Sequence, residues 1–564
     1  MQRSRVTPAQ PGPDSGRLPS WWQGGVIYQV YLRSFQDSNG DGIGDLRGLL
    51  SRLPYIASLG VDGLWICPFF PSPMRDFGYD VSDFCGVDPQ FGSLDDFDRV
   101  VHRAHALGLR VIIDQVWSHT AAEHPWFAQS RSDRTNPKAD WYVWAQPKPD
   151  GSPPNNWLSW MGGPAWQWEP RRRQYYLHNF LPAMPDLNFH NPDVQDAILQ
   201  VARFWLDRGV DGFRLDTANL YAHDPQLRDN GALPPESRGD SPVLMQDHAY
   251  TMNQPESLAF LQRLRALMDT YTDRMTVGEI GGSQALSTMQ TYTRGVDALH
   301  TAYSFAFLGG RPDAAAVAEQ LRPWSEDAGW PSWAFSNHDA PRVATRWSGQ
   351  TQQAFSFGGQ TLAGSTPGAN PLTWMALLLA LRGTVFIYQG EELGLPQSEV
   401  PFEAMRDPYG LANWPLIPGR DGCRTPMPWV CGAPYAGFSE HAPWLPADPA
   451  HAALAVEQQD ADPDSMLNQT RALITLRNEH PALRVGTCEV LVAEGDVLFI
   501  KRALGRHTVL AAFNLGHTPQ AWPPEMQVGT HELLWSTPRH LESRQVLPAG
   551  CALFLNVYPL DSNP

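Results

Sequence analysis

Short apolar runs rich in β-branched and aromatic residues recur along the chain, and stretches with the periodicity of amphipathic helices separate them. Apolar runs of this length, bounded by turn residues, predict strands that are buried on both faces. These predicted strands are Val26–Phe35, Val61–Pro68, Arg110–His119, Gly212–Thr217, Thr276–Ile280, Ser332–Asp339 and Thr384–Gln389. Helical patterns such as Val194–Asp207 and Ser257–Tyr271 lie between them. Strands that alternate with helices in this way predict a parallel sheet.

Several predicted strands carry a polar residue at or next to their C-terminal end, namely His119, Asp216, Glu279 and Asp339. Polar groups at the C-terminal ends of many parallel strands are typical of a closed barrel, whose functional residues gather at that face. The pattern therefore predicts an α/β fold built on a TIM (β/α)8 barrel, with a candidate site at the C-terminal face of its strands.

Two stretches interrupt the alternation of strand and helix. The first is rich in Trp, Pro, Asn and charged residues, and a long loop of this kind inside a compact domain is usually functional. We interpret it as an inserted subdomain B that walls one side of the cleft. Short alternating strands near the end of the chain predict a C-terminal antiparallel β-sandwich domain. The predicted organisation is a disordered tail (1–20), the barrel (21–119), subdomain B (120–186), the barrel again (187–483, with a loop-rich insertion at 396–446) and the β domain (484–564).

Composition narrows the class of protein. A chain of 564 residues is too long for one compact core. Its formal net charge of −17 repels phosphate backbones, which excludes nucleic acid as a partner. The longest apolar stretch, Leu372–Leu381, has the length of a buried helix rather than of a membrane span. The 22 Trp residues suit stacking on sugar rings, although core packing is the commoner use of Trp.

The cysteines and the N-terminal segment bear on location. The six cysteines are scattered, without CxxC or metal-ligand spacing, so free thiols in a reducing compartment are expected. The first residues are polar and rich in Pro and Gly, without the apolar region of a secretory signal. We therefore expect a cytoplasmic protein.

Four segments carry residues suited to nucleophilic and acid–base chemistry: 114–119 (DQVWSH), 212–219 (GFRLDTAN), 278–280 (GEI) and 335–339 (FSNHD). Cleavage of a glycosidic bond with retention needs a carboxylate nucleophile and a carboxylic acid about 5–5.5 Å apart. Arg214 precedes Asp216 by two positions, so the two side chains share a strand face, and the guanidinium is expected to keep Asp216 ionised. Glu279 lies among apolar neighbours, which should raise its pKa as an acid requires.

These segments, in this order, resemble those of the α-amylase superfamily of glycoside hydrolases (family 13), specifically its oligosaccharide-cleaving α-glucosidase branch. The likeness extends from about Trp21 to the C-terminus. The resemblance implies a retaining α-glucosidase with Asp216 as nucleophile and Glu279 as general acid and base. It also implies that Asp339 is the third carboxylate, which grips sugar hydroxyls and helps to stabilise the transition state.

The resemblance further implies a glucose pocket that is closed at one end. Asp76 and Tyr79 match an Asp-x-x-Tyr motif whose Tyr stacks on the sugar ring. Arg424 in GRDGCRTPMPW matches an arginine expected to pair with Asp76 and to close the pocket. A closed end admits one glucose unit beyond the scissile bond and so implies exo action. The residues assigned to substrate binding are Asp76, Tyr79, His119, Arg214, Thr217, His338 and Arg424.

Three positions bear on differences within the family. Ser118 stands where the family usually has Asn, a residue that often binds calcium in amylases. Met184 in MPDLN stands where some oligo-1,6-glucosidases have a pocket Gln. At the position of Thr217, which borders the site of the leaving sugar, Val accompanies α-1,6 activity, whereas Thr or Ala accompanies α-1,4 activity. The resemblance therefore implies a preference for maltose and short α-1,4 malto-oligosaccharides.

The segment DSNGDGIGD (37–45) has oxygen ligands at alternate positions. This spacing resembles a calcium loop, although Gly48 stands at the twelfth position, where an EF-hand has Glu. The family's α-glucosidases often hold a structural ion at this loop, and the alternative is a plain turn rich in Asp and Asn. We expect a structural Ca²⁺ or Mg²⁺ and no organic cofactor, with the ligands Asp37, Asn39, Asp41, Ile43 (through its carbonyl) and Asp45.

Other functions on the same scaffold stay open at this stage. A hydrolase or transglucosylase that acts on sucrose would use the same covalent intermediate, and an oligo-1,6-glucosidase would differ only in the linkage cleaved. A non-catalytic relative, such as the heavy chain of an amino-acid transporter, is disfavoured because all three carboxylates are present and no membrane anchor is evident. The sequence leaves the acceptor, the substrate length and the oligomeric state open.

Overall fold

The computed structural model describes residues 19–239, 241–324, 328–348, 370–526, 530–539 and 546–558. The predicted tail, 1–20, lies outside these residues except for its last two positions. Within the described ranges, no helix combines the length and the apolar character that crossing a membrane requires.

The strands are short, and those at the centre of the fold are buried along their whole length, as in Val26–Val30. In chain order they are β1 (Val26–Val30), β2 (Gly63–Ile66), β3 (Arg110–Gln115), β4 (Trp144–Ala145), β5 (Trp166–Glu169), β6 (Gln174–Leu177), β7 (Gly212–Leu215), β8 (Met275–Ile280), β9 (Thr301–Ser304), β10 (Ser332–Ala334), β11 (Thr384–Tyr388), β12 (Thr487–Glu494), β13 (Val497–Leu504), β14 (His507–Asn514), β15 (Gln520–Ala521), β16 (Thr530–Thr537), β17 (Val546–Leu547) and β18 (Ala552–Tyr558).

Eight of these strands form one parallel sheet in the order β10-β11-β1-β2-β3-β7-β8-β9. Strand β1 pairs in parallel with both β11 and β2, so the first and last strands of the barrel sequence are neighbours. A parallel bridge between Ala302 in β9 and Pro331, directly before β10, joins the two edges of the sheet. The predicted TIM barrel is therefore confirmed.

The barrel strands differ from the predicted ones in length and in one omission. Each predicted strand overlaps a barrel strand, and only β8 begins outside its predicted range, one residue earlier, at Met275. Strand β10 ends at Ala334, and a bridge between Asn337 and Ala340 shows that Asp339 lies on a turn. The hydrophobic pattern does not indicate β9, because its sequence, Thr-Ala-Tyr-Ser, is short and three of its four residues carry a hydroxyl. The Thr301 hydroxyl can still be buried, since it donates to the Trp330 carbonyl at 2.8 Å.

Helices connect the barrel strands and pack around the sheet. Side-chain oxygens cap several N-termini, for example Ser93 before α2 and Asn191 before α4, as expected for residues that satisfy the first free N–H groups. The helices are α1 (Leu46–Ser58), α2 (Leu94–Ala106), α3 (Pro125–Ser130), α4 (Pro192–Asp207), α5 (Pro255–Met268), α6 (Ala285–Thr293), α7 (Ala314–Leu321), α8 (Val343–Arg346), α9 (Pro371–Ala380), α10 (Pro408–Asn413), α11 (Pro449–Ala452), α12 (Val456–Ala461), α13 (Met466–Glu479) and α14 (Pro481–Val485).

Two smaller sheets lie outside the barrel. Within segment 120–186, strands β4, β6 and β5 form a three-stranded antiparallel sheet, and a bridge between His119 and Asp186 joins the two ends of the segment. At the C-terminus, the order β12-β13-β14-β18-β16 gives a five-stranded antiparallel sheet, beside which β15 pairs with β17. The antiparallel β domain is confirmed, and the residue bounds of the domains stay predictions.

Two buried arginines join the barrel to the rest of the chain at the C-terminal end of α9. Arg477 in α13 donates to the carbonyls of Leu379 and Leu381, as well as to Gly24 and Gly383. Arg502 in β13 donates to the carbonyl of Ala380 at 2.7 Å. The carbonyls of Leu379 and Ala380 belong to the last turn of α9, where carbonyls have no partner within the helix and the negative end of the helix dipole favours a cation.

We expect the substitution Arg477→Met to destabilise the protein strongly. Its guanidinium is fully buried and binds four backbone carbonyls, and each buried polar group left unpaired costs about 1–3 kcal/mol. The loss should therefore exceed about 3 kcal/mol, which thermal melts of parent and variant would measure as a lower Tm.

Arg471→Met is the matched control, because Arg471 lies on the same helix but pairs with Asp460, a partner more than half exposed. Ion pairs at the surface contribute roughly 0–1 kcal/mol. Equal decreases in Tm for the two variants would contradict the role given to Arg477.

Candidate active site

The guanidinium of Arg214, in β7, is the centre of the site. It is fully buried. Its Nη1 lies 2.8 Å from Asp114 Oδ1 and 2.7 Å from Asp216 Oδ1, and its Nη2 donates to Glu279 and to the Tyr303 hydroxyl. Adjacent barrel strands supply these groups: Asp114 comes from β3, Glu279 from β8 and Tyr303 from β9. The structure thus brings the two predicted reacting carboxyls, Asp216 and Glu279, onto one cation.

The turn after β7 orients the carboxyls. Asp216 follows the last residue of the strand, and Thr217 has a φ of 43°, a left-handed conformation that is costly for a β-branched residue. In this conformation the Thr217 N–H donates to Glu279 Oε2 at 3.1 Å. The backbone strain therefore accompanies a direct link between the residue after Asp216 and the carboxyl of Glu279.

Both carboxyls retain protons more strongly than free side chains do. Burial raises the pKa of Glu279 to about 7, against the opposing charge of Arg214. Burial also raises the pKa of Asp216, and Arg214 opposes this shift as well. The rise expected for Glu279 in an apolar setting is present, and its largest cause is desolvation by burial. The expectation that Arg214 keeps Asp216 ionised is not confirmed, because burial raises the pKa of Asp216 more than Arg214 lowers it.

The pKa of Asp339 is shifted in the opposite direction, downward. Burial on its own would raise its pKa, but His338 and the guanidinium groups of Arg420 and Arg424 lower it well below the usual range. The Gln29 amide nitrogen lies 2.8 Å from His338 Nδ1; since an amide N–H can only donate, the ring proton is on Nε2. Burial lowers the pKa of His338 to about 3, so the ring is neutral and presents an N–H beside Asp339.

Tyr79 and His119 lie against this cluster. The Tyr79 hydroxyl donates to Asp114 Oδ2 at 3.0 Å, and its ring stacks on His338 with centroids 5.1 Å apart and an interplanar angle of 6°. His119 Nε2 lies 2.9 Å from the Tyr79 carbonyl oxygen. The structure therefore brings Tyr79 and both predicted histidines together beside Asp114 and Asp339.

The pairing predicted for Asp76 is wrong in one respect, because its partner is Arg420 and not Arg424. Arg420 Nη2 lies 2.6 Å from Asp76 Oδ1, and the same guanidinium binds Asp407 and Asp339. Arg424 instead binds Asp339 Oδ1 at 2.8 Å. A short 3-10 helix, Asp421–Cys423, separates the two arginines; both reach Asp339, but only the Arg420 side chain is directed to Asp76 and Asp407 as well.

Four residues of the site were not predicted from the sequence: Gln29, Asp114, Tyr303 and Arg420. Gln29 and Asp114 carry a detectable signal, since each is a polar residue inside an otherwise apolar buried strand. Tyr303 was missed together with its strand. Arg420 lies in the same loop-rich insertion as Arg424, where no periodicity indicates which side chain faces the pocket.

The loop 37–45 is held by its own side chains. The Asp37 carboxylate accepts hydrogen bonds from three backbone N–H groups of the loop and from Ser439. Asp45 binds Ser38 and caps α1 through the Gly48 N–H. Among the residues that the structure describes, no three acidic, His or Cys side chains converge as metal ligands. The oxygen donors have the chemistry that Ca²⁺ and Mg²⁺ prefer without the convergence, so metal binding at this loop stays a prediction.

Comparisons with known proteins agree with this geometry. A family model described as the catalytic domain of α-amylase matches residues 29–486. A probable α-glucosidase of Rhizobium meliloti (strain 1021) is 53% identical over 506 residues, which cover 88% of this chain and 89% of that protein. An oligo-1,6-glucosidase of Heyndrickxia coagulans is 35% identical, with 88% and 92% covered. The crystal structure of an α-glucosyl transfer enzyme superposes with a TM-score of 0.88 at 49% identity and covers 96% of this chain and 100% of that one.

The family match contains every barrel strand except the first residues of β1, and it contains the whole carboxylate cluster from Asp76 to Arg424. The relative from Rhizobium meliloti extends the likeness over most of both chains. The chain therefore belongs to the α-amylase family of glycoside hydrolases, and it is an enzyme of the α-glucosidase type that hydrolyses α-glucosides.

Proposed function

We propose that the protein is an exo-acting, retaining α-glucosidase that releases glucose from the non-reducing end of short α-glucosides through a covalent glucosyl–Asp216 intermediate. The observation that carries this proposal is the contact of one buried guanidinium, that of Arg214, with both Asp216 and Glu279. Two carboxyls on one guanidinium are close neighbours. This arrangement supports the spacing of about 5–5.5 Å in retaining enzymes over the about 6.5–9.5 Å of inverting ones.

The reaction then has two steps. Glu279 donates its proton to the glycosidic oxygen while an Asp216 carboxylate oxygen bonds to the anomeric carbon, and the bond to the leaving group breaks. In the second step Glu279 takes a proton from water, whose oxygen replaces Asp216 at the anomeric carbon. Arg214 stabilises the Glu279 carboxylate that the first step creates. A Glu279 pKa of about 7 suits both transfers near neutral pH.

The ion pairs around Arg420 support exo action. Its guanidinium binds Asp76, Asp339 and Asp407 together, so charged side chains tie together the walls of one end of the glucose pocket. A pocket held closed in this way admits a single terminal glucose unit. The same ion pairs hold the carboxylate oxygens of Asp339 beside the N–H of His338. Sugar hydroxyls can form hydrogen bonds with these groups.

We expect Asp216→Asn to lower kcat by several orders of magnitude, because an amide cannot form the glucosyl ester. Glu279→Gln should also be nearly inactive on maltose, but on an aryl α-glucoside whose leaving group needs no proton it should accumulate the glucosyl-enzyme. Steady-state kinetics and mass spectrometry of the quenched protein would measure both effects.

Asp98→Asn is the matched control, since Asp98 is a half-exposed carboxylate on α2 paired only with Arg208; this variant should keep the parent kinetics. Near-normal hydrolysis of maltose by either Asp216→Asn or Glu279→Gln would refute the assigned roles.

The proposed preference for α-1,4 linkages rests on Thr217 and Met184. Thr217 contacts both carboxyls, with its N–H on Glu279 and its hydroxyl 3.4 Å from Asp216 Oδ2, which supports the proposal that its side chain borders the site of the leaving sugar. We expect kcat/KM to be higher on maltose than on isomaltose, and Thr217→Val to reduce this ratio. An exchange of hydroxyl for methyl can supply roughly 1–3 kcal/mol of discrimination. A parent enzyme that prefers isomaltose would show that the oligo-1,6-glucosidase alternative is correct.

Transfer of glucose to a sugar acceptor is a second candidate activity. The similarity to an α-glucosyl transfer enzyme, at 49% identity, favours it, because the glucosyl–Asp216 ester reacts with either water or a sugar hydroxyl. Product analysis with maltose and with sucrose separates the outcomes. Free glucose alone indicates hydrolysis, longer glucosides indicate transfer, and turnover of sucrose adds sucrose to the substrates.

All six cysteines are free thiols, which supports our proposal that these reactions take place in the cytoplasm.

We also propose that loop 37–45 binds a structural Ca²⁺ or Mg²⁺. A chelator should then lower the Tm of the parent by a few degrees, and added metal should restore it, since a ligand of the folded state stabilises that state. Asp41→Ala should abolish this response, while kcat/KM on maltose stays near the parent value.

Asp45 is unsuitable for this test, because it caps α1 and its replacement by Ala costs about 0.5–2 kcal/mol without any metal. A parent melting curve that neither chelator nor added metal changes would contradict metal binding.

A further inference from the structure

The hydroxyl of Ser118 contacts Thr217, beside the reacting carboxyls, and His119, beside Tyr79. The Ser118 side chain is buried, with 2% of the residue exposed. Its hydroxyl oxygen lies 3.1 Å from the Thr217 hydroxyl and 2.9 Å from His119 Nδ1. We propose that the hydroxyls of Thr217 and Ser118 form a hydrogen-bonded relay that positions His119 and, through it, Tyr79, so that Ser118 is a positioning residue of the glucose pocket. This inference rests on the proposed α-glucosidase function.

The donors and acceptors fix the direction of this relay. The Tyr79 carbonyl can only accept, so His119 Nε2 carries the proton in its 2.9 Å contact with that oxygen. In a neutral ring His119 Nδ1 must then accept, and Ser118 donates to it. The Ser118 oxygen is left to accept from the Thr217 hydroxyl. Burial lowers the pKa of His119 to about 4, which keeps the ring neutral and this direction unchanged near pH 7.

The relay connects the reacting carboxyls with the sugar-binding surface. It begins at Thr217, whose backbone N–H donates to Glu279 Oε2 at 3.1 Å. It ends at Tyr79, whose ring stacks on His338 and whose hydroxyl donates to Asp114. Ser118 reaches the aromatic wall of the glucose pocket through His119, and it reaches the leaving-group side only through the Thr217 hydroxyl. That hydroxyl also lies 3.4 Å from Asp216 Oδ2, so it keeps a partner when the Ser118 hydroxyl is removed, and we expect the aromatic wall to be the part that is loosened.

This geometry gives the relay a kinetic signature. Every α-glucoside presents the same glucose unit to Tyr79 and His119, so a loosened relay weakens all substrates by one common factor. A residue that acted on the leaving group would instead change the ratio between substrates. Removal of one hydroxyl also leaves its buried partners unpaired, which costs more than an exposed hydrogen bond is worth.

The test is Ser118→Ala, assayed on maltose, isomaltose and 4-nitrophenyl α-glucoside. We expect kcat/KM to fall roughly five- to fiftyfold, by the same factor on all three substrates, and the inhibition constant of glucose to rise in parallel, while the Tm stays close to that of the parent. On the nitrophenyl substrate Thr217→Val should show a loss of similar size, and Thr217→Ser, which keeps the hydroxyl, should recover most of it.

The double variant Ser118→Ala/Thr217→Val completes the cycle. Its loss should be clearly smaller than the product of the two single losses, since both substitutions interrupt one relay. Losses that multiply, a changed ratio of maltose to isomaltose in Ser118→Ala, or an unchanged inhibition constant of glucose would each overturn the inference. A parent that hydrolyses none of the three substrates would instead overturn the α-glucosidase proposal, and calorimetric titration of parent and Ser118→Ala with glucose would still test the relay.

Discussion

The guanidinium of Arg214 lies fully buried at the C-terminal face of the barrel, where it touches the carboxyls of Asp114, Asp216 and Glu279. An unpaired carboxylate at this depth would cost several kcal/mol, so the three acids can be gathered only around a cation. One positive charge does not balance three negative ones, so protons bound to the carboxyls must reduce the excess negative charge. Burial therefore raises the pKa values of the reacting pair even though Arg214 opposes it. The excess of carboxyls over guanidinium groups therefore accounts for the proton that Glu279 needs to act as an acid catalyst.

Strand register is what brings these groups to the guanidinium. Asp114 in β3 lies directly opposite Arg214 in β7, and Glu279 in β8 lies directly opposite Tyr303 in β9. The register leaves little room beside it. A Cβ at Gly278 would stand 2.4 Å from a terminal methyl of Leu299, so any larger residue at this position would have to displace that side chain. Close packing of the barrel and alignment of the charges are thus one and the same constraint.

The features that follow local periodicity could be predicted from the sequence, and those that depend on loops could not. The contact between Arg214 and Asp216 follows from their spacing on one strand, and the barrel follows from the alternation of strand and helix. The choice between Arg420 and Arg424 as partner of Asp76 depends on how one turn of 3-10 helix orients two side chains, and no pattern in the sequence encodes that orientation. Burial, the cause of the shifted pKa of Glu279, depends on packing from distant segments in the same way.

The other end of the site reverses the balance of charges and so gives its carboxylate a different chemistry. Asp339 meets two guanidinium groups, from Arg420 and Arg424, where Glu279 shares one with its neighbours. Two cations overcome the effect of burial and lower the pKa of Asp339 well below its usual range. Asp339 is therefore ionised near neutral pH and can accept hydrogen bonds from sugar hydroxyls, but it has no proton to donate. The number of arginines within reach thus separates Asp339, which stays an acceptor, from Asp216 and Glu279, which share Arg214. The loop-rich insertion that supplies Arg420 and Arg424 is therefore as much a part of the catalytic apparatus as the barrel.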